Sequence, residues 1–382
     1  MPEDVGLVLV VPKAGSNVDE HFAHTFRLAD HLQCHVPTAV IVERLSGVAP
    51  AADPSVEVRI QRRADQGFVF RAFELIWLAA GLRRRGFHTY FVRTSQTAAV
   101  PLIITRRLLG IRIMYWNCGK GPKNRLRELG LRQALFYEIP QRIAFRWADV
   151  VVTGTDSLAD HYSRTYGIPR ARIAVLPNEI DLEWFAPASL EERSEARADL
   201  GIVGDEPLVL SLHRLSPVRR TLLYIPQVLE AVAQAHPRVR FVFAGGGPEE
   251  QEVRQAVAGA RLGDRVQMLG GVPHHRVRRL YSAADIFLMP SYTEGFPRVL
   301  LEAMAMGVPI ASTDVGGIRE ILPSAYHGRL ANRDRPTELA EAVDELLRDV
   351  VVARDLVTEG LRWVRRFDAP AVARQLAALA CP

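Results

Sequence analysis

The side chains best suited to chemistry lie in one stretch of the second half of the chain. Glu294 and Glu302 are separated by seven residues. The segment follows an apolar run typical of a strand and opens an amphipathic run typical of a helix. We therefore expect Glu294 in the loop and Glu302 one and a half turns into the helix. Pro297 suits the first helical position, where its missing N–H costs nothing.

The start of this predicted helix is a candidate diphosphate site. The amides of Arg298, Val299 and Leu300 precede any intrahelical acceptor, and the macrodipole favours negative charge there. None of these three positions is acidic. Glu302 would then lie within reach of a neighbouring ribose diol, a familiar partner of a carboxylate. On helix physics alone, a plain strand–loop–helix turn with surface glutamates explains the pattern equally well.

A basic turn follows the predicted strand Leu208–Leu212. Arg214 and Arg219 are five residues apart. Two cations at this spacing could clamp a diphosphate and stabilise the departing nucleotide, which is electrostatic catalysis without a metal. The alternative is a solvated basic turn, since exposed arginines are common.

Further motifs accompany these in a fixed order along the second half of the chain. They are Phe243-Ala-Gly-Gly-Gly-Pro248, Leu269-Gly-Gly-Val272, Leu280-Tyr-Ser-Ala-Ala-Asp285 and Ser312-Thr-Asp-Val-Gly-Gly317 with Glu320. Together with the glutamate pair, they resemble the retaining GT-B glycosyltransferases, specifically glycosyltransferase family 4. Glu249, Glu250 and Glu252 crowd the helix after the triple glycine and would repel a phosphate. Those glycines are therefore expected to form a turn and let the nucleotide approach the backbone.

The resemblance implies an activity and a set of roles. The activity is metal-independent transfer, with retention, of a hexosyl group of the Glc or GlcNAc type. The donor is a nucleotide diphosphate sugar, with UDP as the default on family frequency, and the acceptor is a hydroxyl of a glycan, lipid or small molecule. The implied catalytic residues are Glu294, Arg214 and Arg219. The implied donor-binding residues are Gly15, Gly246, Val272, Gly295, Phe296, Arg298, Val299, Leu300 and Glu302.

The chain departs from the family pattern at several positions. His213 replaces the usual glycine before Arg214, and Arg219 stands where a lysine is usual. Relatives often carry a histidine near the reacting sugar, after the strand Ile111–Trp116, where this chain has Asn117. The acceptor proton is therefore expected to pass to the departing phosphate. The acceptor region is indicated only weakly, by His21, Asn117 and Lys120.

Alternating strand and helix patterns predict the architecture that positions these residues. Short apolar runs separated by helices indicate parallel sheets covered on both faces. Ligands of such sheets bind at the carboxyl ends of the strands, where the motifs lie. We expect an α/β protein of the GT-B type, with two tandem Rossmann-like doubly wound domains facing a cleft. The predicted parts are an acceptor-binding domain over 1–180, a linker over 181–206, a nucleotide-sugar-binding domain over 207–366, and a helix over 367–382 that returns to the first domain.

Twelve strands carry this prediction. They are Val5–Val11, Thr38–Val42, Val56–Gln61, Thr89–Val92, Ile111–Trp116, Val150–Thr153, Ile173–Leu176, Leu208–Leu212, Arg240–Ala244, Val266–Leu269, Ile286–Pro290 and Pro309–Thr313. Helical patterns lie between most of them, including Phe68–Arg85 and Asn124–Trp147.

Composition restricts the class of protein. A length of 382 residues favours two domains, and a net charge of +5 is too modest for a dedicated nucleic-acid binder. Three cysteines provide neither a disulfide framework nor metal-ligand spacing, and His21 with His24 lacks further ligands. The acidic residues at the N-terminus predict that no signal peptide is present. The absence of a long apolar run predicts that no helix spans a membrane. We therefore expect a cytoplasmic protein that needs no metal and no cofactor besides its nucleotide-sugar co-substrate.

Membrane contact is expected to be peripheral at most, at the inner face. The basic, apolar stretch Lys120–Arg146 could touch an anionic membrane. Glu128, Glu138 and Pro140 interrupt it, so a surface helix lining the acceptor cleft is the preferred interpretation. Two rival functions remain open at this point. A nucleotide-sugar epimerase shares the architecture, and a catalytically silent partner subunit would bind the nucleotide sugar without turning it over.

Overall fold

The computed structural model describes residues 6–15, 23–47, 52–63, 65–119 and 137–381. The chain divides into two compact units. The first comprises Met1–Glu179 with Asp368–Pro382, and the second comprises Ile180–Phe367. The C-terminal segment therefore belongs to the first unit, although it follows the second unit in the sequence.

The first unit is built on a seven-stranded sheet in the order β5-β3-β1-β6-β7-β8-β9. All of its strand pairs are parallel. Its strands are β1 (Gly6–Val11), β3 (Thr38–Val42), β5 (Glu57–Ile60), β6 (Phe87–Arg93), β7 (Arg112–Trp116), β8 (Val150–Thr153) and β9 (Ile173–Val175), with a separate two-stranded pair of β2 (Ala14–Gly15) and β4 (Leu45–Ser46). β1 and β3 are buried throughout, which explains their uninterrupted apolar runs.

Helices cover both faces of this sheet. They are α1 (Ala23–Gln33), α2 (Phe68–Arg83), α3 (Gln96–Leu109), α4 (Ile139–Trp147), α5 (Asp156–Tyr166) and the C-terminal α14 (Ala369–Ala380). α2 to α5 pack on the face that presents Val8 and Val10, while α1 and α14 pack on the face of Leu7 and Leu9. Val372 and Leu376, one turn apart on α14, are fully buried there.

The second unit has a five-stranded sheet in the order β12-β11-β10-β13-β14, also parallel. Its strands are β10 (Leu208–Leu212), β11 (Arg240–Ala244), β12 (Val266–Gly270), β13 (Ile286–Met289) and β14 (Ile310–Ser312). Its helices are α6 (Leu190–Asp199), α7 (Ile225–Ala235), α8 (Glu250–Gly259), α9 (His274–Ala283), α10 (Arg298–Ala305), α11 (Ile318–Ile321), α12 (Pro336–Arg348) and α13 (Val350–Trp363).

Each sheet has one point where the strand order reverses direction. In the second unit it lies between β10 and β13, which are neighbours in the sheet but separated by two strands in sequence. Loops leaving adjacent strands at such a point diverge and leave a crevice in which ligands bind. The basic turn follows β10 and the Glu294 loop follows β13, so both predicted motifs lie at this position.

All twelve predicted strands are present, with ends within two residues of the prediction. The predicted linker contains structure of its own, since residues 181–206 include α6 and fold with the second unit. Ser189 and Glu192 form a capping box at the start of α6, and Arg197 pairs with Asp285 at 3.1 Å. Phe185, also in this segment, is buried.

Two helix predictions need comment. The pattern over Asn124–Trp147 contains α4 from Ile139, and most of its earlier part lies outside the described residues. Pro297 precedes the first helical residue instead of occupying it, because α10 begins at Arg298. Within the described ranges, no helix combines the length and apolarity that a membrane span requires.

Candidate functional site

The loops after β10 and β13 are joined by an ion pair. Arg219 Nε donates to Glu294 Oε1 at 2.8 Å, and Nη2 lies 3.4 Å from Oε2. The third contact of the guanidinium is from Nη1 to the carbonyl of Arg214, at 2.9 Å. The backbone adds a link, since the Tyr292 N–H donates to the Arg219 carbonyl at 2.8 Å. The sequence motifs 75 residues apart thus form one charged site.

Glu294 is buried and held on several sides. Ser291 Oγ donates to its Oε1 at 2.9 Å. The neighbouring turn at Gly316 has φ of +60°, and a Cβ there would lie 2.1 Å from the Glu294 carbonyl oxygen. Only glycine permits this close approach. The loop therefore fixes the carboxylate instead of leaving it on a flexible surface.

His213, in place of the family glycine, is an internal structural residue. It is buried, and its Nε2 lies 2.9 Å from Thr221 Oγ1. Burial, with a smaller contribution from the charge of Arg219, lowers the pKa of His213 to about 3. The imidazole is therefore neutral near pH 7, and the positive charge of this turn comes from its arginines.

The triple glycine packs against this basic turn. A Cβ on Gly245 would lie 1.9 Å from the His213 carbonyl oxygen, and one on Gly247 equally close to that of Leu215. Both have positive φ. Two acidic residues, Glu250 and Glu252, occupy the first turn of α8. The geometry matches the expectation that these glycines serve the turn, since a phosphate would be repelled at this helix start.

The start of α10 lies eight residues after the β13 loop begins and carries no acidic side chain in its first turn. The Leu300 amide donates to the Pro297 carbonyl at 3.3 Å, so the candidate anion-binding amides reduce to those of Arg298 and Val299. The Leu300 amide, one of the three predicted, is thus already hydrogen-bonded within the first turn of the helix.

Glu302 is buried on α10. Tyr281 Oη donates to its Oε2 at 3.2 Å and lies 3.1 Å from the Val299 carbonyl. Burial raises the pKa of Glu302, against the opposing effects of the Arg298 charge and the Tyr281 hydrogen bond. A buried carboxylate with few donors around it is suited to accept hydrogen bonds from a ligand's hydroxyl groups.

Other predicted donor residues differ in what their side chains can do. Phe296 is buried against Phe367, with ring centroids 5.9 Å apart, and Leu300 is fully buried. Both can therefore offer only backbone atoms. Arg214 is exposed, and its carbonyl is what contacts Arg219. Gly246, Val272 and Gly295 lie half-buried in loops that follow strands of the same sheet.

The predicted acceptor residues lie in the first unit where they are described. Asn117 is buried, and its Oδ1 accepts from the Gly119 amide and from Tyr162 Oη, both at 2.9 Å. Its side chain therefore shapes the turn after β7. Gly15 lies in the short strand β2, opposite Ser46. His21 and Lys120 lie outside the described residues. Cys118 is partly buried and packs against the core of the first unit.

Two residues that contact the glutamates were not identified from the sequence. Ser291 lies in the loop of Glu294 and Tyr281 lies within Leu280–Asp285, but only their hydrogen bonds to the glutamates identify them. Arg93, at the end of β6, was not identified either. Arg93 is buried, lies over the Trp116 ring at 4.7 Å and is 3.1 Å from Asn178 Oδ1. The sequence feature that could have identified Arg93 is a charged residue at the end of an apolar strand.

The described parts of the chain contain no cluster of three or more His, Cys, Asp or Glu side chains arranged to hold a metal ion.

Two family models match the chain almost end to end. Residues 23–184 match the model for glycosyltransferase family 4, and residues 192–363 match that for glycosyl transferases group 1. The chain belongs to the GT-B-type glycosyltransferases. The predicted fold class is thereby confirmed, since solved structures of this type align over nearly the whole chain.

Two solved structures illustrate the match to this GT-B chain. Sucrose-phosphate synthase from Thermosynechococcus elongatus has a TM-score of 0.78 at 21% identity, covering 98% of both chains. HepE from Anabaena, in complex with UDP and glucose, has a TM-score of 0.75 at 19% identity, covering 98% of this chain and 99% of its own. Identities this low establish the fold alone.

A curated relative is the D-inositol 3-phosphate glycosyltransferase of Nocardia farcinica. It is 30% identical over 257 residues, which are 65% of this chain and 54% of the relative. The same enzyme of Mycobacterium tuberculosis is 31% identical over the same length. The chain spans about half the length of the curated relatives that it matches.

Proposed function

We propose that this protein is a retaining glycosyltransferase that moves a hexosyl group of the Glc or GlcNAc type to an acceptor hydroxyl. The observation that carries the proposal is the ion pair between the partly exposed Arg219 and the buried Glu294, at the switch point of the second unit and before the start of α10. A charged pair at that position is what a nucleotide-diphosphate sugar requires, a cation for the phosphates and a carboxylate for the sugar.

In the proposed reaction the bond between the anomeric carbon and the donor phosphate breaks, and a bond from the acceptor oxygen to that carbon forms on the same face. The acceptor proton passes to the departing phosphate oxygen. Arg219 stabilises that phosphate, because its guanidinium has five N–H donors and the contacts to Glu294 and Arg214 use three. Arg214 and the first amides of α10 add to this stabilisation.

Glu294 orients the sugar and steadies positive charge on its ring, and Glu302 accepts the ribose hydroxyls. UDP is the proposed nucleotide, supported by the solved complexes of HepE with UDP and with UDP-glucose. The second unit is proposed to hold this donor and the first unit the acceptor, a glycan, a lipid or a small molecule.

The decisive experiment measures UDP released from UDP-glucose and UDP-GlcNAc with and without a panel of acceptors. A transferase releases UDP in proportion to acceptor and yields an α-linked product. Free sugar or an epimer formed without acceptor would favour the epimerase, and tight binding without turnover would favour the silent subunit.

Turnover is expected to continue in excess EDTA, because Arg219 and the start of α10 supply the positive charge that a metal supplies elsewhere. The measurement is acceptor-dependent UDP release before and after chelation. Complete loss of activity that Mg²⁺ or Mn²⁺ restores would show that the reaction depends on a metal.

A further inference from the structure

An apolar surface on the first unit is not explained by nucleotide-sugar transfer. It belongs to α2, α3 and α4, which lie side by side and cover the same face of the sheet. Their inward residues, such as Leu75 and Leu102, are buried in the core. Their outward residues include Phe70, Phe73, Trp77, Ile104, Leu108 and Trp147, here called the outer helical face.

These outward residues are large and strongly exposed. The exposed fraction is 65% for Phe73, 73% for Trp77 and 88% for Leu108. Phe70, Phe73 and Trp77 have the i, i+3, i+7 spacing that places them on one stripe of α2. Single exposed apolar residues are ordinary, but several large ones on adjoining helices mark an interaction surface.

Two exposed arginines accompany these apolar residues. Of the six arginines on α2, α3 and α4, Arg71, Arg106 and Arg142 already pair with acidic residues of neighbouring segments. Arg107 and Arg146 are exposed on α3 and α4. Arg146 also lies over the ring of the neighbouring Trp147, at 5.7 Å. Exposed Trp and Phe flanked by arginines are the combination that binds the headgroup region of an anionic bilayer.

A second copy of the chain fits this surface less well. Two-fold pairing would place the same patch against itself, and therefore arginines against arginines. An anionic lipid surface satisfies the aromatic and the basic residues together. We propose that the outer helical face docks this protein on the surface of an anionic membrane.

Docking is independent of the proposed transfer reaction, because it uses only the first unit's outer helices. The test is flotation of the full chain with vesicles of phosphatidylcholine alone or mixed with phosphatidylglycerol, without donor or acceptor. We expect binding to the mixed vesicles that weakens at high salt. Failure here would leave the transferase proposal intact, and failure of turnover would leave docking intact.

The variant Phe73→Ser/Trp77→Ser should reduce vesicle binding by on the order of ten-fold or more, because it removes the inserting side chains. Its control is Val350→Ser/Val351→Ser, two exposed valines of the second unit, which should bind like the wild type. Arg107→Ala and Arg146→Ala should each weaken binding about five-fold. Arg354→Ala, an exposed arginine on α13, is the matched control.

Two results would overturn the proposal. One is flotation that Phe73→Ser/Trp77→Ser leaves unchanged while its circular dichroism and melting match the wild type. The other is a dimer in sedimentation analysis that the same variant dissociates, together with no flotation of the wild type. The second result would assign the outer helical face to another copy of the chain.

Discussion

At the residue scale, the properties of Arg219 follow from what it contacts. A lysine, usual at this position in the family, offers a point charge, whereas Arg219 spans Glu294 and the Arg214 carbonyl with three N–H groups. The guanidinium therefore fixes the carboxylate and the turn at the same time. His213 beside it is neutral near pH 7 and adds no charge of its own.

Removing Arg219 should lower turnover more than donor affinity, because the diphosphate gains negative charge as the glycosidic bond breaks. We expect Arg219→Ala to lower kcat by on the order of a hundred-fold. Arg219→Lys should fall between that variant and the wild type, since it keeps the charge and loses the fork. The measurement is steady-state kinetics of these variants, with Arg354→Ala as the control. A folded, fully active Arg219→Ala enzyme would mean that the basic turn is a solvated surface without a role in turnover.

Replacing Glu302 should weaken nucleotide binding. Glu302→Gln removes the charge that the ribose hydroxyls would bond, and we expect about a ten- to hundred-fold loss of UDP affinity by calorimetry. The exposed Glu230→Gln on α7 is the control. Unchanged affinity in folded Glu302→Gln would exclude Glu302 as the ribose ligand.

The raised pKa of Glu302 gives this binding a pH dependence. Acidification protonates Glu302 at a higher pH than an ordinary glutamate, so UDP affinity should start to fall earlier, and Glu302→Gln should remove that component. The effect of this raised pKa on folding stability has the opposite sign. As pH rises past the unfolded value of 4.5, the unfolded chain ionises first, so the buried carboxylate costs stability at neutral pH. Glu302→Gln should therefore be at least as stable as the wild type there.

At the element scale, the loops after the strands are held by glycines that allow backbone to approach backbone. Gly316, after β14, lies against the Glu294 carbonyl, and Gly245, after β11, lies against that of His213. The loops that carry Arg219 and Glu294 are thus supported by the loops of the neighbouring strands. This support explains why motifs widely spaced in sequence occur together.

Gly316→Ala tests that support. The added Cβ would meet the Glu294 carbonyl at 2.1 Å, so Glu294 must move, and we expect kcat to fall by at least ten-fold. Gly201→Ala is the matched control, because Gly201 also has positive φ, +67°, but open space around its Cβ. Equal kinetics in both variants would mean that the contact with Glu294 does not matter. A crystal structure of Gly316→Ala would show the displacement directly.

At the scale of the whole molecule, the chain leaves the first unit at Glu179 and returns to it at Asp368. α14 fills the core beneath β1 and β3, and Arg112 Nη1 donates to the Leu379 carbonyl at 2.7 Å. The first unit is therefore complete only when the last residues of the chain have folded onto it.

Leu376→Ala should destabilise the first unit by about 2–5 kcal/mol, because it leaves a cavity at a fully buried position. Hydrogen exchange should speed up at buried strand amides of the first unit, such as Val40, and stay unchanged at Val209 in the second. Leu190→Ala, at an exposed position of α6, is the control. Equal acceleration in both units would show that they unfold together.

The strands and the charged motifs can be predicted from the amino-acid sequence. Each of the twelve predicted runs becomes a strand. Central strands such as β1 and β3 are continuously apolar because both of their faces are buried, whereas the edge strands β5 and β12 are partly exposed and carry polar residues. Arg219, Glu294 and Glu302 were identified from type and spacing, supported by resemblance. Val372, Leu376 and Leu379 have the helical spacing that indicates α14.

Only the tertiary structure decided which side chains meet. The Arg219–Glu294 pair, the support from Ser291 and Gly316, and the burial of His213 join residues from different strands, and no local pattern encodes such contacts. The same holds for the outer helical face. In sequence its apolar residues look like core residues, and only packing shows that Phe73 and Trp77 lie on the side of α2 that faces away from the sheet.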